Sequence, residues 1–286
     1  MKNVCAGVVL YNPSIERLKG SIDAVRPQVD RLVFVDNASE NVDELQKLLD
    51  PERDVLIKNE ANLGIAKALN QLVEFADTNS YEWILTLDQD SICAGDHVEK
   101  LLTTATTDNK IAMAAPLIID RGIVDVDNSP KEGFPDTEDV KWCITSGNLT
   151  NVKAVLGTGG FNEWLFIDEV DLEMSLRLLR EGYRLVRVNT AVLNHEYGLK
   201  TIRRRFLWRV VTYRNYAPIR VYYQHRNIVY MLRKYGREYV PSPFVRWVKL
   251  FTAFTMKFIF EPERFKRLSA FTRGIAAGLV VNIKEK

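Results

Sequence analysis

Over its first 115 residues the chain switches repeatedly between short β-rich runs and stretches of helical period. Val4–Leu10, Arg31–Val35, Asp54–Lys58, Glu82–Leu87 and Ile111–Pro116 read as strands. Between the third and fourth, Ile65, Ala66, Leu69, Leu72, Val73 and Ala76 recur at 3.6-residue spacing. That spacing predicts a helix over Asn62–Asp77 with one buried face, opening directly after Asn62-Leu63-Gly64. Parallel strands need crossover connections, so alternation of this kind predicts an α/β protein with a mainly parallel central sheet flanked by helices.

With 286 residues, 47% hydrophobic and 27% charged, the chain can bury a sizeable core in one or two domains; disordered, collagen-like and disulfide-scaffold classes are excluded. A stretch rich in Asp, Gly and Pro (Asp120–Asp139) predicts a loop, followed by Lys141–Asn151. A helix is expected over Val170–Arg180, with Leu172, Leu176 and Leu179 as its buried stripe and Gly182 as its stop, then a strand over Tyr183–Val188. From Thr201 the composition turns to Arg, Lys and aromatic residues, and a helical region divided by Pro241 and Pro243 is expected. Cys5, Cys93 and Cys143 are odd in number and lack metal-like spacing, which fits a reducing compartment without disulfides or a zinc site. The N-terminal MKNVCAGVVLYNP reads as a first strand rather than a signal peptide, since its apolar run is short and no small-residue cleavage site follows. The apolar stretches at 250–260 and 275–283 are about half the length of a membrane span, so the expectation is a protein that is soluble or lies on a membrane surface.

The formal net charge of +2 conceals a division. Residues 1–200 hold 20 basic and 33 acidic side chains, net −13, whereas 201–286 hold 19 basic and 4 acidic, net +15. Two parts are therefore expected, 1–200 and 201–286, the second facing a polyanion or a membrane. In the second part Arg203, Arg204, Arg205, Arg209, Arg214, Arg220, Arg226 and Arg233 interleave with Tyr213, Tyr216, Tyr222, Tyr223 and Tyr230, but no nucleic-acid recognition module accompanies them, so no nucleic-acid partner is expected. Phe244, Trp247, Phe251, Phe254, Phe258 and Phe260, mixed with Arg246, Lys249 and Lys257, fit an interfacial segment with cationic flanks; the same aromatics would also serve a homodimer.

Carboxylates mark the strand ends. Asp36 closes the second strand, and Asp88-Gln89-Asp90 closes the fourth. In open parallel sheets ligands bind at the carboxyl ends of strands, so both groups should line one edge. Asp-x-Asp alone is weak evidence: about one such pair is expected by chance, and Asp125-Val126-Asp127 is a second. What distinguishes Asp88 and Asp90 is the apolar strand that holds them at the edge, and hard oxygen ligands of this kind suit Mg²⁺ or Mn²⁺. Further on, Asp168, Glu169, Asp171 and Glu173 stand at a helix start. One acid there satisfies a cap or the macrodipole; four exceed that need and include candidates for a general base. His195 is a candidate metal ligand or phosphate contact, as well as a structural histidine.

VVLYNP, VDNAS, NLGIAKALN, LTLDQDS, GGFNEWLFIDEVDLEMSLRLLREGYRL and NHEYG occur in one order. That order resembles the inverting family 2 glycosyltransferases of the GT-A fold. LDQDS, FIDxVDxE and the YYxxRN at Tyr222–Asn227 are similar to the bacterial rhamnosyltransferase branch, and the resemblance covers roughly residues 4–230. It implies a GT-A sheet with a basic helical C-terminal extension. It assigns Tyr11 and Asn12 to the nucleotide base and ribose, Asp36 to the pyrimidine ring N–H, and Asn62, Gly64 and Asn70 to the segment beside the nucleotide. Asp90 becomes a direct ligand of Mn²⁺ or Mg²⁺, Asp88 a ribose or water-mediated metal contact, and His195 a late metal or diphosphate position. Ser146 and Gly147 resemble an acceptor-side loop; Trp164 and Phe166 are candidates to stack on a sugar, or simply core residues. This chain reverses the order of the family's two acids: the base is assigned to Asp168, because the second position varies in the rhamnosyltransferase wording, with Glu169, which strict position matching favours, as the alternative. Arg226 is a candidate contact to the donor diphosphate.

The resemblance implies a nucleotide-sugar donor, dTDP-β-L-rhamnose first and a UDP-linked hexose or galactofuranose second. The acceptor implied is a saccharide on a lipid carrier, at the cytoplasmic face of a bacterial membrane. Two rivals stand beside it. A nucleotidyltransferase would share the sheet and acids but needs a Gly-rich, Lys/Arg-containing phosphate loop, and here Tyr11-Asn12-Pro13-Ser14 follows the first strand. A non-catalytic membrane-surface scaffold would leave the six segments without a role.

Overall fold

The structure, a computed structural model, describes residues 3–120, 135–195, 202–206, 209–213, 216–242, 244–248 and 263–283. Its contacts divide the chain into two compact units: residues 1–166 with 170–196, and residues 167–169 with 197–286.

The first unit is built on a nine-stranded sheet. Its strands are β1 (Val4–Leu10), β2 (Arg31–Asp36), β3 (Asp54–Lys58), β4 (Trp83–Asp88), β5 (Ile92–Cys93), β6 (Ile111–Asp120), β7 (Thr137–Asp139), β8 (Asn148–Asn151) and β9 (Arg184–His195). The order is β3-β2-β1-β4-β8-β6-β9-β5, with β7 also on β9. β3, β2, β1 and β4 run parallel, as the alternating pattern predicts, whereas β8 enters antiparallel between β4 and β6. Helices α1 (Ile15–Val25), α2 (Val42–Gln46), α3 (Ile65–Thr78), α4 (His97–Ala105), α5 (Val152–Gly157) and α6 (Val170–Arg180) connect the strands. Val4, Ala6, Val8 and Leu10 of β1 pack with Leu18, Ile22 and Val25 of α1, and with Leu32 and Phe34 of β2, in one core. On α3 the buried face is Ala66, Ala68, Leu69, Leu72, Val73 and Ala76. Leu72 lies so close to β1 that a Cβ on Gly7 would stand 2.8 Å from its methyl carbons.

Two expectations need correction here. On α6 the buried side chains are Val170, Glu173, Met174, Ser175, Leu176 and Leu178, so the stripe is rotated from Leu172, Leu176 and Leu179. The rotation buries an acid, tolerated because Arg177 pairs with Glu173 at 2.9 Å and also donates to the carbonyls of Thr158 and Gly160. The strand expected over Tyr183–Val188 continues to His195 through a register shift against β6 between Pro116 and Leu117.

The second unit was expected to be helical throughout, yet Ile202–Phe206 (β10) and Arg209–Tyr213 (β11) form an antiparallel hairpin. β11 is rich in the β-branched and aromatic residues that suit a pleated surface, Val210, Val211, Thr212 and Tyr213, whereas β10 has such residues only at its ends, Ile202 and Phe206. Helices α7 (Pro218–Tyr235) and α8 (Arg264–Val280) follow, with a helical turn at 244–248. Pro218 opens α7 at its first position, where its missing N–H costs nothing, and Gly236 ends it at φ 53°. α8 meets α7 through Ala270, Gly274 and Gly278; a Cβ on Gly274 would stand 2.5 Å from the Tyr222 carbonyl oxygen, and one on Gly278 2.6 Å from that of Arg226. Asp125, Asp127, Lys249, Phe251, Phe254, Lys257, Phe258 and Phe260 lie outside the described residues. Among the described residues no helix is long and apolar enough to cross a membrane.

Candidate active site

In the first unit the acids meet at one sheet edge. Leu10 of β1 is in register with Asp36 of β2, and Val9 with Asp88 of β4, so both aspartates lie at the carboxyl end of the parallel strands. Asp36 is 2% exposed, and its carboxylate accepts from the backbone N–H and the hydroxyl of Ser39. That hydroxyl oxygen in turn accepts from Asn12 N at 2.8 Å, while Asn12 Oδ1 accepts from Glu40 N. The loop after β1 is thereby tied to the end of β2, leaving Tyr11 50% exposed.

The Asp88-Gln89-Asp90 turn is braced from both sides. Gln89 Oε1 accepts from Tyr11 N at 3.0 Å, and Asp88 N donates to Ser146 Oγ at 3.0 Å. Ser146 Oγ also lies 2.8 Å from Ser91 Oγ. Gly147, at φ 75°, packs where a Cβ would stand 2.6 Å from Leu193, and its carbonyl lies 2.9 Å from Nε2 of the buried His97. Of the two residues expected on the acceptor side, Ser146 braces the Asp88–Asp90 turn, and Gly147 N donates to Thr86 O of β4 at 2.7 Å.

Asp90 is half-buried, and its carboxylate makes no hydrogen bond or ion pair with the described residues. Ile92 of β5 is in register with Asn194 of β9. One step further along this antiparallel pair sets the His195 backbone opposite Ser91, next to Asp90. Among the described residues no three His, Cys, Asp or Glu side chains gather closely enough to hold a metal alone. Two hard carboxylates at a braced edge nevertheless fit Mg²⁺ or Mn²⁺, whose remaining positions water and phosphate oxygens ordinarily fill.

The segment expected beside the nucleotide is packed against the loop at 160–166. Asn62 Oδ1 accepts from Gly64 N at 3.0 Å, and Ile65 N donates to Phe166 O at 2.6 Å. Gly64, at φ 86°, has the Phe166 ring where a Cβ would be, 2.5 Å away, so the close approach its small size permits is made here by Phe166. Asn70 bonds the backbone of Phe161 through both ends of its amide, at 2.6 and 3.0 Å, and also donates to Glu163. Asn37, which the sequence did not single out, is buried and links Gly64 O, Asn59 and Leu63 N. Trp164, partly buried, is anchored through its backbone N–H to Asn162.

The four acids divide. Asp171 and Glu173 lie in the first turn of α6, where Asp171 accepts from Thr145 Oγ1 at 3.1 Å and Glu173 pairs with Arg177. Asp168 and Glu169 precede the helix and group with the second unit. Both have φ of 63°, a left-handed conformation that costs about 1–2 kcal/mol per residue away from glycine and collects at functional sites. Arg220 holds Asp168 with two bonds, 2.9 and 3.2 Å. Glu169 is largely buried, 3.9 Å from Arg246; burial pushes its carboxyl above the usual range, opposed by a hydrogen bond to Tyr239 and by the Arg246 charge. Arg226 is 7% exposed, with its guanidinium over the rings of Tyr222 and Tyr223. Burial of that guanidinium lowers its affinity for the proton.

A sheet of this order with acids on its carboxyl edge is a GT-A arrangement, and solved structures agree. GalNAc-T7 with UDP, GalNAc and Mn²⁺ superposes with a TM-score of 0.61 at 15% identity, over 82% of this chain and 48% of that one, so the chain spans about half the length of that relative. The mannosyltransferase PcManGT from Pyrobaculum calidifontis, in complex with GDP-Man and Mn²⁺, gives 0.55 at 15% identity over 99% and 88%. Residues 5–153 match the Glycosyl transferase family 2 model, and the chain belongs to that family. The dTDP-rhamnosyl transferase RfbF of Shigella flexneri is 31% identical over 245 residues, 81% of this chain and 80% of that protein. The protein is therefore a glycosyltransferase of family 2.

Proposed function

We propose that this glycosyltransferase moves L-rhamnose from dTDP-β-L-rhamnose, with inversion, onto a hydroxyl of a lipid-linked saccharide in bacterial surface polysaccharide synthesis. The observation that carries the donor is the 31% identity to a dTDP-rhamnosyl transferase across most of both chains. Asp168, or Glu169 in its place, takes the proton of the acceptor hydroxyl as its oxygen bonds the anomeric carbon and the bond from that carbon to the diphosphate breaks. Asp90, Asp88 and His195 would hold Mn²⁺ or Mg²⁺, which supplies charge neutralisation for the leaving diphosphate. Tyr11, Asn12 and Asp36 take the nucleoside, with the Asn12–Ser39–Asp36 network fixing the loop in advance. Asn62, Gly64 and Asn70 shape the wall beside it. Ser146 and Gly147 belong to the acceptor side, and Ser146 also braces the metal-binding turn.

The second unit would carry the enzyme to the cytoplasmic face of the membrane. Phe244 (76% exposed), Phe265 (83%) and Val280 (84%) support this, together with the net +15 of residues 201–286. A thermal-shift panel with Mn²⁺ tests the donor. Stabilisation by dTDP-rhamnose exceeding that by UDP-glucose, UDP-galactofuranose and GDP-mannose is expected, and stabilisation by the UDP-sugars alone would overturn the donor assignment.

A further inference from the structure

The turn at 167–169, left-handed at Asp168 and Glu169, has no glycine to make it easy, so something must hold it. Within the second unit, α7 supplies that hold from two points. Near its start, Arg220 reaches both Asp168 carboxylate oxygens, with its own guanidinium 4.4 Å from the centre of the Tyr216 ring. Two turns later Asn227, fully buried, donates through Nδ2 to two successive carbonyls, Ile167 O at 2.7 Å and Asp168 O at 2.9 Å. One side-chain amide bridging consecutive carbonyls fixes the two peptide planes that flank the Asp168 Cα, and with them the backbone torsions of Asp168. Asn227 is itself oriented, because its Oδ1 accepts from Arg226 Nε at 2.9 Å, and Arg226 is pinned by Tyr222 and Tyr223. The backbone of this part of α7 is backed by Gly274 and Gly278 of α8.

We infer that Arg220 and Asn227 are positioning residues for Asp168, α7 acting as the holder that sets both the backbone and the carboxylate of the acid before any substrate arrives. This rests on Asp168 being the base. It gives the Arg226-Asn227 pair a task at the acidic turn. Fixing a base in advance matters because a displacement of about 1 Å costs on the order of 100-fold in rate.

The test uses the full chain with Arg220→Ala, Arg220→Lys, Asn227→Asp and Asp168→Asn. Turnover is read as dTDP release from dTDP-rhamnose with Mn²⁺; binding of dTDP with Mn²⁺ is read by calorimetry. Hydrogen exchange over 166–171 is read with no donor present. In Asn227→Asp the carboxylate cannot donate to the two carbonyls, so exchange at 166–171 should rise about tenfold with that of β4 unchanged. The turnover number should fall 10- to 100-fold in Arg220→Ala and Asn227→Asp, with KM for the donor and dTDP affinity held within about twofold. Guanidinium ion should restore part of the Arg220→Ala rate, and potassium chloride at equal strength should not; a merely structural role would not respond this way. Arg220→Lys, which keeps the charge without the fork, should remain impaired. Unchanged exchange and unchanged turnover number in Arg220→Ala and Asn227→Asp, with Asp168→Asn inactive, would overturn the holder and leave the base in place. Full turnover by Asp168→Asn would overturn both.

Discussion

Asp168 and Glu169 are adjacent, share a backbone conformation, and live in different surroundings. Asp168 is paired with Arg220, whereas Glu169 is buried beside Tyr239 and 3.9 Å from Arg246. Burial raises the Glu169 carboxyl, so over a window above the ordinary glutamate value the folded chain keeps a proton that the unfolded chain has lost. Stability must then fall as pH rises through that window. Thermal melts of the wild type and Glu169→Gln should agree at the acid end and diverge as pH rises, the wild type becoming relatively weaker; parallel curves would contradict the burial argument. The supporting residues at this scale were hard to foresee. Asp36, Asp88 and Asp90 were legible because a polar residue ending an apolar strand is a local pattern. The bonds of Ser146 to Asp88 and of Asn70 to Phe161 join residues 58 and 91 positions apart, which no local pattern records. Asn227 was visible as the last letter of a motif, but its partners at 167 and 168 were not.

Among the elements, the parallel half of the sheet followed from hydrophobic period alone, and β1, β3 and α3 lie within a few residues of where that period put them. The antiparallel β8 and the β10–β11 hairpin did not follow. β8 has only four residues, and the hairpin strands carry so many arginines that composition suggested a helix. The α7–α8 packing depends on the smallest side chain at two places one helical turn apart. Gly274→Ala should push α8 away from the Tyr222 carbonyl and destabilise the protein by about 1–3 kcal/mol, the usual scale of overpacking. Gly95→Ala, where a Cβ meets nothing within 4 Å, is the control and should change the midpoint little.

For the whole molecule, residues 1–200 carry a net −13 and 201–286 a net +15, and the proposed function gives the first a metal-bound diphosphate and the second an anionic membrane. Exposed charges facing anionic lipid are screened at ordinary ionic strength, and a metal-bridged diphosphate much less. Co-sedimentation with phosphatidylglycerol vesicles should therefore fall steeply between low and physiological salt while dTDP binding with Mn²⁺ changes little. Equal salt sensitivity of the two would contradict the assignment. The proposed sugar transfer from a nucleotide diphosphate needs both the braced acids at the carboxyl edge of β4 and the held acid at 168. It is tested most directly by dTDP release from dTDP-rhamnose with Mn²⁺, comparing the wild type with Asp90→Ala, Asp168→Asn and Asp125→Ala. Release by the wild type and Asp125→Ala is expected, with at least a 100-fold loss in the other two; full activity of Asp90→Ala would overturn the role of the metal-binding acids.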